Sequence, residues 1–130
     1  MRLWHEDLIK KLPNKQLLGQ WRECLALLGN GWGKKHSVVN YVFDYNESKL
    51  VGFAFKVADE MIERGYKPNR DLIIAALRRR NLTYKDIDYI ITEGYEQLFN
   101  GNIYPEHNKQ YLEECINNLK NKGVVINANC

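Results

Sequence analysis

Residues 48–64 read Ser48-Lys49-Leu50-Val51-Gly52-Phe53-Ala54-Phe55-Lys56-Val57-Ala58-Asp59-Glu60-Met61-Ile62-Glu63-Arg64. Leu50, Val51, Ala54, Val57, Ala58, Met61 and Ile62 recur at steps of three and four, the period of a helix rather than a strand. Gly65 follows where a helix commonly closes on a left-handed residue, so a helix is predicted over about Ser48 to Arg64. Working outward, Asn14 is read as the N-cap of an earlier helix that runs to about Leu28 and stops at Gly29. Asn69 caps a short third helix through about Arg80, and Thr83 opens a fourth holding Ile87, Ile90 and Ile91. Pro105 fits the first turn of a fifth, with Tyr111, Leu112, Cys115, Ile116 and Leu119 along one side before Gly123. Residues 1–13 read as an irregular arm ending at Pro13. The apolar, β-branched segment Ser37–Phe43 suits strand or helix alike, and the tail from Val124 suits a loop or a short strand. The expectation is an all-α fold: a single compact domain over 1–130, of about five helices, with the arm packed near the first.

The chain has 130 residues, 45% hydrophobic and 27% charged, which excludes disordered and fibrous classes. No apolar run approaches the ~18 residues of a membrane span. Glu6 and Asp7 stand where a signal peptide needs an apolar stretch, so the expected location is the cytoplasm. Cys24, Cys115 and Cys130 form neither an even disulfide set nor a C-x-x-C pair, and idle thiols in a reducing compartment are expected. The net charge of +3 is unevenly placed: residues 1–40 carry +4 and residues 41–130 carry −1. Such asymmetry suits a protein that meets a polyanion, and equally a solvated basic face without a partner. The run Arg78-Arg79-Arg80 is read as a helix end, where cations complement the dipole.

Around the first helix, about 100° per residue with Trp21 at zero, Leu17, Leu18, Cys24, Leu25 and Leu28 fall within about 60° and form the core face. Arg22 lies on the flank at about 100°, and Glu23 points nearly away from the core at about 200°. Gly19 and Ala26, both small, stand one turn either side of Glu23, with Gln16, Gln20 and Leu27 completing that face. A carboxylate between small side chains leaves a shallow hollow for another segment or a ligand; the plain alternative is an ordinary surface acid.

Met1-Arg2-Leu3-Trp4 together with Gln16-Leu17-Leu18-Gly19-Gln20-Trp21-Arg22-Glu23 resembles the pyrimidine-dimer DNA glycosylase/AP-lyase family of the phage endonuclease V type. The likeness is strongest to a bacterial branch whose members begin Met-Arg-Leu-Trp and carry a Trp-Arg-Glu triplet in the first helix. It extends to His36 ahead of an aromatic segment, to Glu63-Arg64-Gly65-Tyr66 at a helix end, and to Tyr104-Pro105-Glu106-His107 before the last helix. The resemblance implies a repair enzyme acting on damaged double-stranded DNA, in which the backbone α-amine is the nucleophile and a helix glutamate works beside it. An α-amine has a reference pKa of ~7.7–8.0 against ~10.4 for lysine, so a useful neutral fraction exists near pH 7. It attacks C1′, expels the base and leaves a Schiff base that permits strand scission by β-elimination. By resemblance Glu23 takes the carboxylate's role and Arg22 contacts phosphate or the displaced nucleotide. Phage members have a small residue after Met, so that Met is removed; Arg2 is too bulky for that trimming, and Met1 itself is expected to supply the amine, with Arg2 against the DNA backbone. The phage-type histidine and second arginine of the first helix align with Gln16 and Ala26, so the likeness carries the amine chemistry further than dimer-specific contacts. Two rivals stand beside this reading: a non-catalytic DNA-binding protein of the same fold, and a family enzyme acting on another aldehyde or modified nucleotide.

Gly29-Asn30-Gly31-Trp32-Gly33-Lys34-Lys35 misses the phosphate-loop pattern: its glycines are one residue too close and Lys35 stands where Ser or Thr is required. It reads as a basic loop in which Trp32 packs or stacks on a base, with Lys34, Lys35 and His36 touching the DNA backbone, or as a plain surface loop. His5 suits either a proton shuttle or a hydrogen-bonded arm residue, and His107 a structural place in the last helix. Histidines at 5, 36 and 107 have no ligand spacing, so neither a metal nor an organic cofactor is expected.

Overall fold

The computed structural model describes residues 2–35, 38–99 and 101–126. Among them are five α-helices: α1 (Asn14–Leu28), α2 (Glu47–Glu63), α3 (Asp71–Arg78), α4 (Tyr84–Gln97) and α5 (Lys109–Asn121), with no strand. Two short 3-10 helices, Glu6–Lys11 and Asn40–Asp44, precede α1 and α2. The fold is all-helical, as the periodicity requires. No helix among the described residues is long and apolar enough to cross a membrane.

Side-chain caps open α2, α4 and α5. By contrast, α1 begins after Pro13 with Asn14 as its first helical residue and no side-chain cap, so Asn14 is not the N-cap its sequence position suggests. Asn46 Oδ1 accepts the Ser48 N–H (2.9 Å) and opens α2, and Gly65 closes it at φ +91°. Thr83 and Asp86 form a reciprocal capping box at the start of α4. Asn108 Oδ1 accepts the Tyr111 N–H (2.9 Å) and opens α5, so that helix begins beyond Pro105 and His107 rather than at them. The arm is more regular than its sequence suggests, because its apolar Leu8 and Ile9 turn inward on a 3-10 helix and are buried.

α2 is the central element, packed most extensively on α4 and next on α1. Its crossing with α4 is close because both helices carry glycine there: a Cβ on Gly94 would lie 2.5 Å from Val51 Cγ1, and one on Gly52 2.9 Å from the Gly94 carbonyl. Buried side chains of the arm, both 3-10 helices and all five α-helices form one hydrophobic cluster, from Leu3 and Leu8 through Phe53 to Cys115 and Leu119.

The arm is tied down at both ends. Arg64, at the end of α2, donates to the carbonyls of Leu12 (2.6 Å) and Lys10 (3.1 Å) and to Asn14 Oδ1 (3.0 Å). The buried Glu6 carboxylate accepts the N–H groups of Ile103 (2.9 Å) and Tyr104 (3.0 Å) and the Lys56 ammonium (2.9 Å). His107 Nδ1 accepts the Glu6 N–H (3.2 Å), which leaves the ring proton on Nε2, 2.7 Å from the Tyr41 hydroxyl. Burial, with His5 and Lys56 nearby, lowers the His107 pKa to about 3, so its ring stays neutral. The motifs at 63–66 and 104–107 thus converge physically on the arm.

Candidate active site

Lys15, Gly19 and Glu23 follow one another at four-residue steps along one face of α1. Arg2 and Trp4 from the arm approach one side of that face, and Asn118 and Lys122 from α5 and its C-cap approach another. With Gln16, Gln20 and Val38 they enclose a hollow of about 340 Å3. Its floor is Gly19, where a Cβ would meet no atom within 4 Å. Glu23 is half-buried, not turned out to solvent as the helical wheel alone implies, because these neighbours cover its flank. Its Oε2 is buried without a hydrogen-bond partner among the described residues, and so is Asn118 Oδ1. A buried carboxylate oxygen is costly to leave unpaired.

Gln20 sets the position of the arm against this hollow. Only 2% exposed, it accepts the Trp4 N–H through Oε1 (2.6 Å) and donates from Nε2 to the Arg2 carbonyl (3.2 Å). The Tyr111 hydroxyl of α5 donates to the Leu3 carbonyl between them. Side chains from two helices therefore hold three backbone groups of residues 2–4 against the edge of the hollow.

Three cations, Arg2, Lys15 and Lys122, face one carboxylate across the hollow, an excess that suits an anionic ligand. Two are held on aromatic faces: the Arg2 guanidinium is 5.8 Å from both the Trp4 and Tyr111 rings, and Lys122 Nζ is 5.2 Å from the Trp4 ring. Cys24, beneath Glu23, is no competing nucleophile, since burial and the adjacent carboxylate push its thiol pKa far up.

A larger hollow of about 600 Å3 lies between the first 3-10 helix and α2, lined by Glu6, Asp7, Lys10, Lys56, Asp59 and others. Several of its acids are committed to structure, Glu6 to Lys56 (2.9 Å) and Glu60 to Arg64 (2.8 Å), and its remaining acidity disfavours a phosphodiester. Size does not decide the site; charge and an unpartnered reactive group do. Among the described residues no three His, Cys, Asp or Glu side chains are grouped to hold a metal ion.

Of the residues singled out from sequence, the hollow brings Arg2 and Glu23 together. Arg22 is exposed and does not line it, and Lys34 and Lys35 are exposed in the following loop. Met1 and His36 lie outside the described residues. His5 is buried, accepts the Asp7 N–H (3.0 Å) and stacks on His107, a structural place. Lys15 was missed although its spacing from Gly19 and Glu23 marks it; Asn118 and Lys122 come from the far end of the chain and carry no local signal.

No curated protein and no solved structure matches this chain. The family model described as pyrimidine dimer DNA glycosylase matches residues 1–74, more than half the chain. The matched segment holds the arm, α1 and every lining residue of the hollow except Asn118 and Lys122. The chain therefore belongs to the pyrimidine dimer DNA glycosylase family.

Proposed function

We propose that this chain, acting as one helical domain on cytoplasmic double-stranded DNA, is a base-excision glycosylase with AP-lyase activity whose nucleophile is the α-amine of Met1. The observation that carries the reading is the Glu23 Oε2 atom, buried with no partner among the described residues, on a residue that lines a cationic hollow bordered by the pinned arm. Arg2, one peptide bond from the amine, lines the same hollow, and consecutive Cα atoms are only about 3.8 Å apart. A flipped nucleotide enters over Gly19. The neutral amine forms a bond to C1′ as the glycosidic C–N bond breaks, and the base leaves with a proton. Ring opening gives an iminium; loss of a 2′ proton then expels the 3′ phosphate. Glu23 stabilises the cationic sugar and moves these protons. Arg2, Lys15 and Lys122 offset the phosphate charge, Arg22 reaches the displaced nucleotide from the flank, and Lys34, Lys35 and His36 contact the backbone. The scheme uses no metal or organic cofactor.

The test is borohydride trapping on a duplex carrying an abasic site. A covalent adduct that disappears when the N-terminus is blocked supports the reading; DNA binding without any adduct would establish the non-catalytic alternative. Glu23→Gln is expected to lower lyase turnover by about 10²–10⁴-fold with the melting temperature little changed. Unchanged turnover would remove Glu23 from the mechanism.

A further inference from the structure

Beyond Glu23, α1 continues five residues, about 7.5 Å, to Leu28 and the loop that follows. There the Gly31 N–H donates to the Ala26 carbonyl (2.9 Å), and a Cβ on Gly29 would lie 3.4 Å from the Ala76 carbonyl of α3. The loop is thus pressed between the end of α1 and the end of α3. Trp32 packs edge-on against Phe43 (5.1 Å between ring centroids), and the Arg80 guanidinium lies 5.0 Å from the Trp32 ring. This contact joins the two basic stretches of the sequence: the loop with exposed Lys34 and Lys35, and the run Arg78-Arg79-Arg80.

The turn itself has the composition of a nucleic-acid contact. Arg78 and Arg79 are exposed, and Arg78 donates to the Tyr84 hydroxyl (3.2 Å) with its guanidinium 5.2 Å from that ring. Tyr84 is 77% exposed, and a hollow of about 420 Å3 opens between Arg78, Asn81 and Tyr84. Asn81, at φ +57°, turns the chain so that α4 starts beside the arginines. Of the acids nearby, Glu47 is bound to Arg80 (3.0 Å), while Asp86, which caps through the Thr83 N–H, and exposed Asp88 remain charged; Arg78, Arg79 and Lys85 still outnumber those two. The helix dipole is complemented by one cation in the last turn and does not account for exposed arginines around an exposed ring.

We propose that Arg78, Arg79 and Tyr84, continuous through Arg80 and Trp32 with Lys34 and Lys35, form a second DNA contact that holds the duplex backbone flanking the nucleotide in the Glu23 hollow. The inference rests on the reading that this chain acts on DNA, and its key residues lie outside the family-matched segment 1–74. Guanidinium forks grip phosphate oxygens, and the tyrosine packs against the sugar–phosphate edge.

The experiment measures Kd for a duplex with an uncleavable tetrahydrofuran abasic analogue over a range of salt, alongside trapping on a natural abasic duplex. R78Q/R79Q is expected to make the slope of log K against log salt shallower by about 1.8, at about 0.9 per phosphate contact, with the trapping rate at saturating DNA unchanged. K10Q/K67Q, which removes the same charge from exposed sites elsewhere, is expected to leave the slope as it was. An unchanged slope in R78Q/R79Q, or an equal change in K10Q/K67Q, overturns the second contact while a trapped adduct still stands for the glycosylase. A wild-type protein that neither binds with salt dependence nor forms an adduct overturns both.

Discussion

Glu23 and Gly19 lie one turn apart on the wall of the hollow: the acid has an oxygen with no partner among the described residues, and the glycine leaves the adjoining space open. A glycine within a helix costs roughly 0.5–1 kcal/mol relative to alanine, and here no neighbouring atom requires it. Gly19→Ala is therefore expected to raise the melting temperature by about 2–6 °C while lowering kcat/KM on abasic DNA, because the methyl enters the hollow. Thermal melts and steady-state kinetics on the same preparation check this; a stabilised variant with full activity would mean that substrate does not pass over Gly19. At this scale the sequence was informative. The wheel placed Glu23 between small residues, but it could not show the half-burial that other elements impose.

At the scale of elements, the decisive relation is between the arm, α1 and α5. Gln20 looks like an ordinary polar residue of the Glu23 face, yet it is buried and bonded to both sides of the arm's backbone. Gln20→Leu keeps the volume and strips both bonds. Leaving the buried Trp4 N–H unpaired is expected to cost about 1–3 kcal/mol, and the part-buried Arg2 carbonyl less. Lyase activity should fall further than that loss of stability explains, which melting and single-turnover rates together would reveal. Helix periods and caps predict α2 and α4 well because those signals are local. They misplace the start of α5, since Asn108 outcompetes Pro105 as a start signal, and they miss the regular 3-10 turn of the arm, which forms only because the core receives Leu8 and Ile9. Asn118 and Lys122 reach the site through tertiary packing alone.

For the whole molecule, the buried chain from Glu6 through His107 to Tyr41 couples the arm to the rest of the fold and carries a pH dependence. His107 has its pKa lowered from 6.5 to about 3 in the native protein. As pH falls below 6.5 the unfolded chain binds a proton that the native state refuses. The stability contribution is therefore whole above about 6.5 and is lost toward 3, with a limiting slope of about 1.4 kcal/mol per pH unit. Melts between pH 7 and 4 should show this acid limb, and His107→Asn, which retains an acceptor for the Glu6 N–H, should flatten it. The uneven charge of the sequence has its counterpart here too, since folding sets Arg80 of the later chain on Trp32 of the early basic loop.

The central claim is that the α-amine at residue 1 is the nucleophile of the Glu23 hollow. Mass-spectrometric mapping of the borohydride-trapped DNA adduct tests it most directly, because Lys15 and Lys122 offer rival amines in the same hollow. The predicted result is a single reduced linkage on the α-nitrogen of Met1. A linkage on the side chain of Lys15 or Lys122, or on an α-amine of Arg2 after loss of Met1, would contradict it.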